Sequence, residues 1–206
     1  AACAFVTRDS NGVLSFIQNI AANANELQVE GIDLELGYRQ SLGSLGNLDL
    51  RLLGTIYSDL TYVNGGSEVS GKCQNGVVTQ QAYPSMPCYE INARMTYTKG
   101  PFLLGGQMRY IPRGKFGNIY VGPQDDGYDP ALPNSINDNR VSAIAYVDLN
   151  ASYRLIDNGS RSVEVFGAIR NAFDAAPPNA PANNIATNAN LYDVLGRIFR
   201  AGVRFS

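Results

Sequence analysis

The chain has 206 residues, a formal net charge of -2 at pH 7 and no histidine. It has no Lys/Arg cluster that would attract nucleic acid, and no apolar run approaches the length of a membrane-spanning helix. The absence of histidine removes Ser-His-Asp and Cys-His catalysis and His-ligated zinc, and no other nucleophile is paired with a base. We therefore expect neither an enzyme nor a cofactor.

Alternation of apolar and polar residues predicts a series of long β-strands. Residues 1–25 carry two short apolar pieces around a Ser-Asn-Gly turn, which predict a small hairpin. Seven segments then show the period of two that is typical of strands: 26–39, 47–63, 89–98, 102–116, 143–157, 162–175 and 191–206. The last of these predicts a terminal strand from Leu191 to Ser206. No helical pattern separates the segments, so we predict an all-β fold.

Each strand has one apolar face and one polar face. In the final segment Phe199, Ala201, Val203 and Phe205 share a face, and Arg204 lies on the other. This pattern alone fits a soluble sandwich and a membrane barrel about equally. In a barrel, the charged residues of the polar faces would line a wet or plugged lumen: Asp33, Glu35, Arg94, Asp148 and Arg154.

The lengths of the connections favour the barrel. Short turns at 41–46, 99–101 and 158–161 alternate with long segments at 64–88, 117–142 and 176–190. In an antiparallel up-and-down arrangement all the short turns lie at one end and all the long loops at the other, which is the layout of transmembrane β-barrels of the outer membrane. The strands are also long enough to cross a bilayer when tilted.

Three cysteines leave one without a partner in the chain. Cys73 and Cys88 flank a polar, turn-rich stretch, and a disulfide between them would close a loop of 15 residues (88 - 73). Two unpaired surface thiols are the alternative. If the bridge forms, Cys3 would pair with a residue outside this sequence.

The long loops supply the candidate ligand contacts. Tyr83, Tyr120 and Tyr128 offer aromatic surface, and Asp125, Asp126 and Asp129 offer carboxylates. The spacing of the acidic residues matches no EF-hand, so a solvated loop is favoured over a calcium site. The tyrosines are equally suited to loop packing or to a membrane-interface belt.

Four local motifs resemble the C-terminal barrel region of TonB-dependent outer-membrane receptors. They are VEGIDLELGY (29–38), Pro87-Asn92-Tyr97 with the returning Gln107–Tyr110, IRNAFDA (169–175) and LYDVLGRIFRAGVRF (191–205). Their order and spacing cover most of the chain. The end departs from the family pattern, because Ser206 follows the aromatic Phe205 that would normally close the strand.

The resemblance implies a 22-stranded barrel with an N-terminal plug domain and a TonB-contacting box. Seven strands cannot close such a barrel, so residues 1–206 would be its C-terminal segment, without the plug and the earlier strands. The implied function is TonB-energised uptake of a scarce nutrient (siderophore-iron, cobalamin or an oligosaccharide) across the bacterial outer membrane, with outer-membrane lipid and the TonB system as partners. The alternative is a small closed eight-stranded barrel with a passive or structural role, whose eighth strand would come from residues 4–9 or 13–20.

Overall fold

The computed structural model describes residues 6–18, 26–64, 67–76, 86–159, 161–181 and 186–205. These residues are all-β apart from one 3-10 turn at Gly43–Leu45. Within these ranges, no helix has the length and apolar character needed to cross a membrane.

Seven long antiparallel strands form the main sheet. They are β3 (Glu26–Ser41), β4 (Asn47–Asn64), β6 (Tyr89–Lys99), β7 (Phe102–Ile111), β10 (Ile144–Asp157), β11 (Ser162–Arg170) and β12 (Ile198–Phe205). Each pairs with the next in this order. This confirms the predicted up-and-down order. The short β5 (Ser67–Ser70) pairs with β4 at the end of β4 from which the long loop leaves. The sheet is open, with β3 and β12 as its edges.

Short strands complete the described structure. β1 (Val6–Arg8) and β2 (Leu14–Ile17) form the hairpin predicted near the start of the chain. They pair with each other and not with the main sheet, so within the described ranges they supply no eighth crossing strand. β8 (Gly114–Lys115) and β9 (Arg140–Val141) pair inside the second long loop.

Three of the predicted strands are shorter than expected at the long-loop end. β7 stops at Ile111, not at 116, because Pro112 has no N–H to donate to a ladder. β11 stops at Arg170, not at 175, because Asn171 adopts a left-handed φ of 48°. β12 begins at Ile198 and not at Leu191, because the preceding residues are buried within a loop.

The two faces of the sheet differ as predicted. The apolar face carries exposed side chains such as Leu36 and Phe199, which are 65% and 67% exposed. The polar face carries cross-strand ion pairs, including Arg51–Glu35 at 2.7 Å and Arg204–Glu164 at 2.9 Å. An uncovered apolar face of this extent is suited to lipid, and the paired charges are suited to a wet interior.

Aromatic residues recur on the apolar face towards the short-turn end. Tyr38, Tyr97, Tyr153 and Phe205 lie on the first, third, fifth and seventh strands of the sheet, on its apolar face. The row of paired residues that starts at Tyr38 ends at Phe199. Measured from this row, Tyr97 lies two residues nearer the short turns, Tyr153 four and Phe205 six. This offset of one residue per strand corresponds to a strand tilt of about 35°, in the range for transmembrane barrels. At that tilt the four rings would lie at one depth.

The core lies beyond the long-loop end of the sheet. Ile111, Val141, Tyr146, Ala180, Leu191 and Tyr192 form one buried cluster, against which Phe116, Ile144 and Ala175 pack. Most of its members come from loops. The long loops are therefore folded onto the end of the sheet on the side of its polar face, from which Tyr146 projects.

Candidate ligand-binding loops

Three loops meet at this end of the sheet. We define loop A as residues 67–76 and 86–88, loop B as residues 112–143, and loop C as residues 171–181 and 186–197. Loop A connects β4 to β6, loop B connects β7 to β10, and loop C connects β11 to β12. The alternation of short and long connections places all three at the same end of the sheet.

Asn75 of loop A lies between loops B and C and is fully buried. Its side-chain Nδ2 donates to the carbonyl of Pro112 at 2.8 Å and to the hydroxyl of Tyr192 at 2.9 Å. Its backbone N–H donates to Lys115 O at 2.7 Å, and its carbonyl accepts from Asn188 Nδ2 at 3.1 Å. One residue of loop A is thus bonded to both of the other loops.

The predicted disulfide holds this part of loop A. Cys73 and Cys88 are bonded, with their Cα atoms 4.2 Å apart, which confirms the pairing. The carbonyl of Cys88 accepts from the N–H of Tyr57 in β4 at 3.1 Å, and the carbonyl of Cys73 accepts from Lys115 N at 2.8 Å. The bridge therefore links the sheet, loop A and loop B. Cys3 lies outside the described residues.

Loop B is stabilised by hydrogen bonds around Asp125. Its carboxylate accepts from the backbone N–H of Gly122 at 2.9 Å and pairs with Lys115 Nζ at 2.9 Å. These two contacts, in that order, hold the pKa of Asp125 below its ordinary value. Asn139, which is buried, donates to the carbonyl of Tyr120 at 2.8 Å.

Loop C is anchored to the polar face of the sheet. The backbone N–H of Asp193 donates to the hydroxyl of Tyr146 at 3.2 Å, and the Asp193 carboxylate lies 3.5 Å from Arg170. Tyr192 is buried beside them, and this burial raises its pKa to about 12.

The corner that starts loop C is a structural turn built around Asn171 and Asp174. Both have left-handed φ angles, 48° and 53°. The Asn171 amide donates to the carbonyl of Ala175 and accepts from its N–H, at 3.0 and 2.8 Å. Asp174 accepts from the N–H of Arg197 at 3.0 Å. These side chains therefore shape the turn and are not available to a ligand.

A cleft of about 460 Å³ opens between loops B and C. Phe116, Ile136 and Ile144 provide apolar surface on one side, and Pro178 and Pro181 face them from loop C. The polar groups of the lining are Asp138, Arg140, Ser142 and Asn179. Arg140 Nε lies 3.1 Å from Asp138 Oδ1, and this contact lowers the pKa of the Asp138 carboxyl. Apolar walls with a few polar groups are typical of small-molecule sites.

The residues predicted from the sequence lie elsewhere in loop B. Tyr120 stacks on Phe116 with ring centroids 5.7 Å apart, and Tyr128 is half-buried. Asp126 and Asp129 are exposed, and Asp125 is engaged by Lys115. None of these five lines the cleft. Tyr83 lies outside the described residues, and ligand contact by all six stays a prediction.

Sequence reasoning missed Arg140, Asn75 and Tyr192. Arg140 has no local motif, and Asn75 stands out in the sequence only through its neighbour Cys73. The sequence pattern predicts Tyr192 in the last strand, but Leu191, Tyr192 and Asp193 are buried in succession and so break the alternation of a strand. Among the described residues, no group of three His, Cys, Asp or Glu is arranged to hold a metal ion.

Comparison with known proteins agrees with this architecture. A model of the family described as TonB dependent receptor-like, beta-barrel, matches residues 4–172. The ferric enterobactin receptor of Pseudomonas aeruginosa, in a mutant form, is a solved structure with a TM-score of 0.50 and 17% identity. The match covers 95% of this chain and 24% of that receptor, and at this identity it supports the fold alone. No curated protein matches.

The fold is that of a transmembrane receptor barrel. The family model matches well over half of the chain, so this chain belongs to the TonB-dependent receptor β-barrel family. That confirms the resemblance found in the sequence. The chain spans about a quarter of the length of the receptor whose structure it matches. The family comprises transport receptors and not enzymes, in agreement with the sequence-based expectation.

Proposed function

We propose that this chain is the C-terminal barrel segment of a bacterial outer-membrane receptor that takes up a scarce nutrient with energy transmitted by TonB. The observation that carries the proposal is the sheet itself, which matches the family and has a lipid-suited face, a charged inner face and folded loops at one end. The bacterial outer membrane would be its location, with membrane lipid and the TonB system as partners.

The rest of the barrel and the plug would belong to a longer polypeptide. The support is the open sheet, because edge strands in lipid leave backbone groups without hydrogen-bond partners. The test is the intact mass of the polypeptide extracted from membranes. A mass several-fold above 22.2 kDa supports the segment, and a native polypeptide of about this mass contradicts it in favour of a small independent barrel.

The cleft between loops B and C is the proposed ligand contact. Its apolar walls would receive a flat or apolar part of the ligand, and Arg140 and Asn179 would bond to ligand oxygens. A ferric siderophore is the first ligand class to test, because the receptor of matching fold is a ferric enterobactin receptor. Cobalamin and an oligosaccharide are the other classes.

The experiment measures binding of ferric enterobactin, cobalamin and maltodextrin to the native receptor in detergent, followed by uptake in cells with and without TonB. We expect one ligand to bind and its uptake to require TonB. Arg140→Gln should weaken that binding about tenfold, since a charge-assisted hydrogen bond is lost. The matched control is Arg39→Gln, the same change at an exposed ion pair at the short-turn end of the sheet. Uptake that is independent of TonB would contradict the proposal.

A further inference from the structure

Asn75 has a position that packing alone does not explain. The buried apolar cluster draws its loop members from loops B and C, and it includes no residue of loop A. Apolar packing therefore accounts for the contact between loops B and C. The attachment of loop A to both of them runs through hydrogen bonds, most of which involve Asn75 and its neighbour Gln74.

The amide of Asn75 fits its site in one orientation only. Pro112 offers a carbonyl, which can only accept, so the Nδ2 donor must face it. Oδ1 then points at Gly114, where an added Cβ would lie only 2.1 Å away. It is the one buried side-chain polar atom without a hydrogen-bond partner among the described residues. Leaving this acceptor unpaired has a cost, which the bonds from Nδ2 and the backbone must offset.

Gln74 extends the same contact. Its Oε1 accepts from the N–H of Asn118 in loop B at 2.9 Å, and its own N–H donates to Met86 on the other side of loop A at 3.0 Å. The Asn118 amide in turn donates to the carbonyls of Ser70 and Lys72 at 2.8 and 2.9 Å. The first arm of loop A is thus joined to loop B close to Asn75, and the second arm is joined to the first.

We propose that Asn75 is the positioning residue through which the three loops open and close as one unit. Because one planar amide holds both loop B and loop C, a displacement that turns it away from one loop also turns it away from the other. This inference concerns the ligand-free receptor, so it can succeed or fail independently of the proposed transport function.

The test is hydrogen–deuterium exchange of the native receptor in detergent, without ligand. Asn75→Ala should raise amide exchange at least about tenfold in loop A, in loop B around Phe116, and in loop C around Tyr192, since two bonds are lost. Exchange in the strands should not change. A rise confined to loop A would overturn the proposal.

A milder variant gives a second test if Asn75→Ala prevents folding. Tyr192→Phe removes only the hydroxyl that accepts from Asn75, so the apolar cluster is kept. If the loops are coupled, exchange should rise in loops A and B as well as in loop C. A change restricted to loop C would show that each loop moves alone. Tyr128→Phe, the same chemical change elsewhere in loop B, is the matched control and should leave all three loops as in the wild type.

Discussion

Removal of the Cys73–Cys88 disulfide should loosen loop A and leave the strands unchanged. The perturbation is Cys73→Ser with Cys88→Ser, made in a Cys3→Ser background to avoid exchange with the third thiol. The bridge closes a loop of 15 residues, for which the chain-entropy model gives about 3 kcal/mol. Since 1.4 kcal/mol is a factor of ten, the opening equilibrium of loop A should rise about 150-fold. The strands do not depend on the bridge, so their stability should not change.

The assay is amide exchange of residues 71–76 in the native receptor, with limited proteolysis as a second measurement. The Cys3→Ser single variant is the control and should match the wild type. A rise of less than about fivefold in the double variant would refute the reasoning, because it would mean that the hydrogen bonds of Gln74 and Asn75 hold loop A without the bridge. Unfolding of the strands would also refute the reasoning, because it would mean that the strands depend on the bridge.

Three further predictions test the assignment of the two sheet faces, the packing of loop B against Asn75, and the titration of Tyr192. Met108→Arg on the apolar face should cost about 2–4 kcal/mol of unfolding free energy in lipid vesicles, whereas Gln107→Arg on the polar face should cost less than about 0.5 kcal/mol; equal losses would contradict the assignment of faces. Gly114→Ala should make loop B protease-sensitive, because its Cβ would collide with Asn75 Oδ1. The pKa of Tyr192 is raised to about 12, so its neutral phenol favours the folded loops; this contribution is complete below about pH 10 and is lost as the pH rises towards 12. In Tyr192→Phe, the absorbance change near pH 12 should be smaller by one tyrosine.

The strands could be predicted because their pattern has a simple physical cause. A residue on a strand of this kind meets either lipid or a wet interior, so polarity must alternate with the pleat, as in the exposed Leu149 and the hydrogen-bonded Asp148 of β10. The strand ends were less predictable. Pro112 lies in a segment whose alternation continues past it, yet its missing N–H ends the ladder.

The loops could be predicted only where a local pattern exists. The disulfide follows from two cysteines at a suitable spacing, and the Asn171–Asp174 corner follows from residue types that tolerate left-handed φ. Asn75 bonds to Tyr192, 117 residues away along the chain. A contact at that separation leaves no local pattern, and so neither the junction of the loops nor the cleft beside it could be read from the sequence.

The pairing register of the sheet also determines which side chains face the lipid, so the membrane would disfavour strands that pair in the wrong register. A slip of one residue at any ladder would turn every later strand over, because side chains alternate with a period of two. Slipped between β7 and β10, the chain would present Asp148, Arg154, Glu164 and Arg204 to the lipid. An arginine there costs about 2–4 kcal/mol at the middle of the bilayer and less near the interfaces, and an acidic residue costs less than an arginine. The slip would also move Tyr153 and Phe205 off the common depth of the aromatic residues. Misregistered strands should therefore be less stable in the bilayer than correctly paired ones.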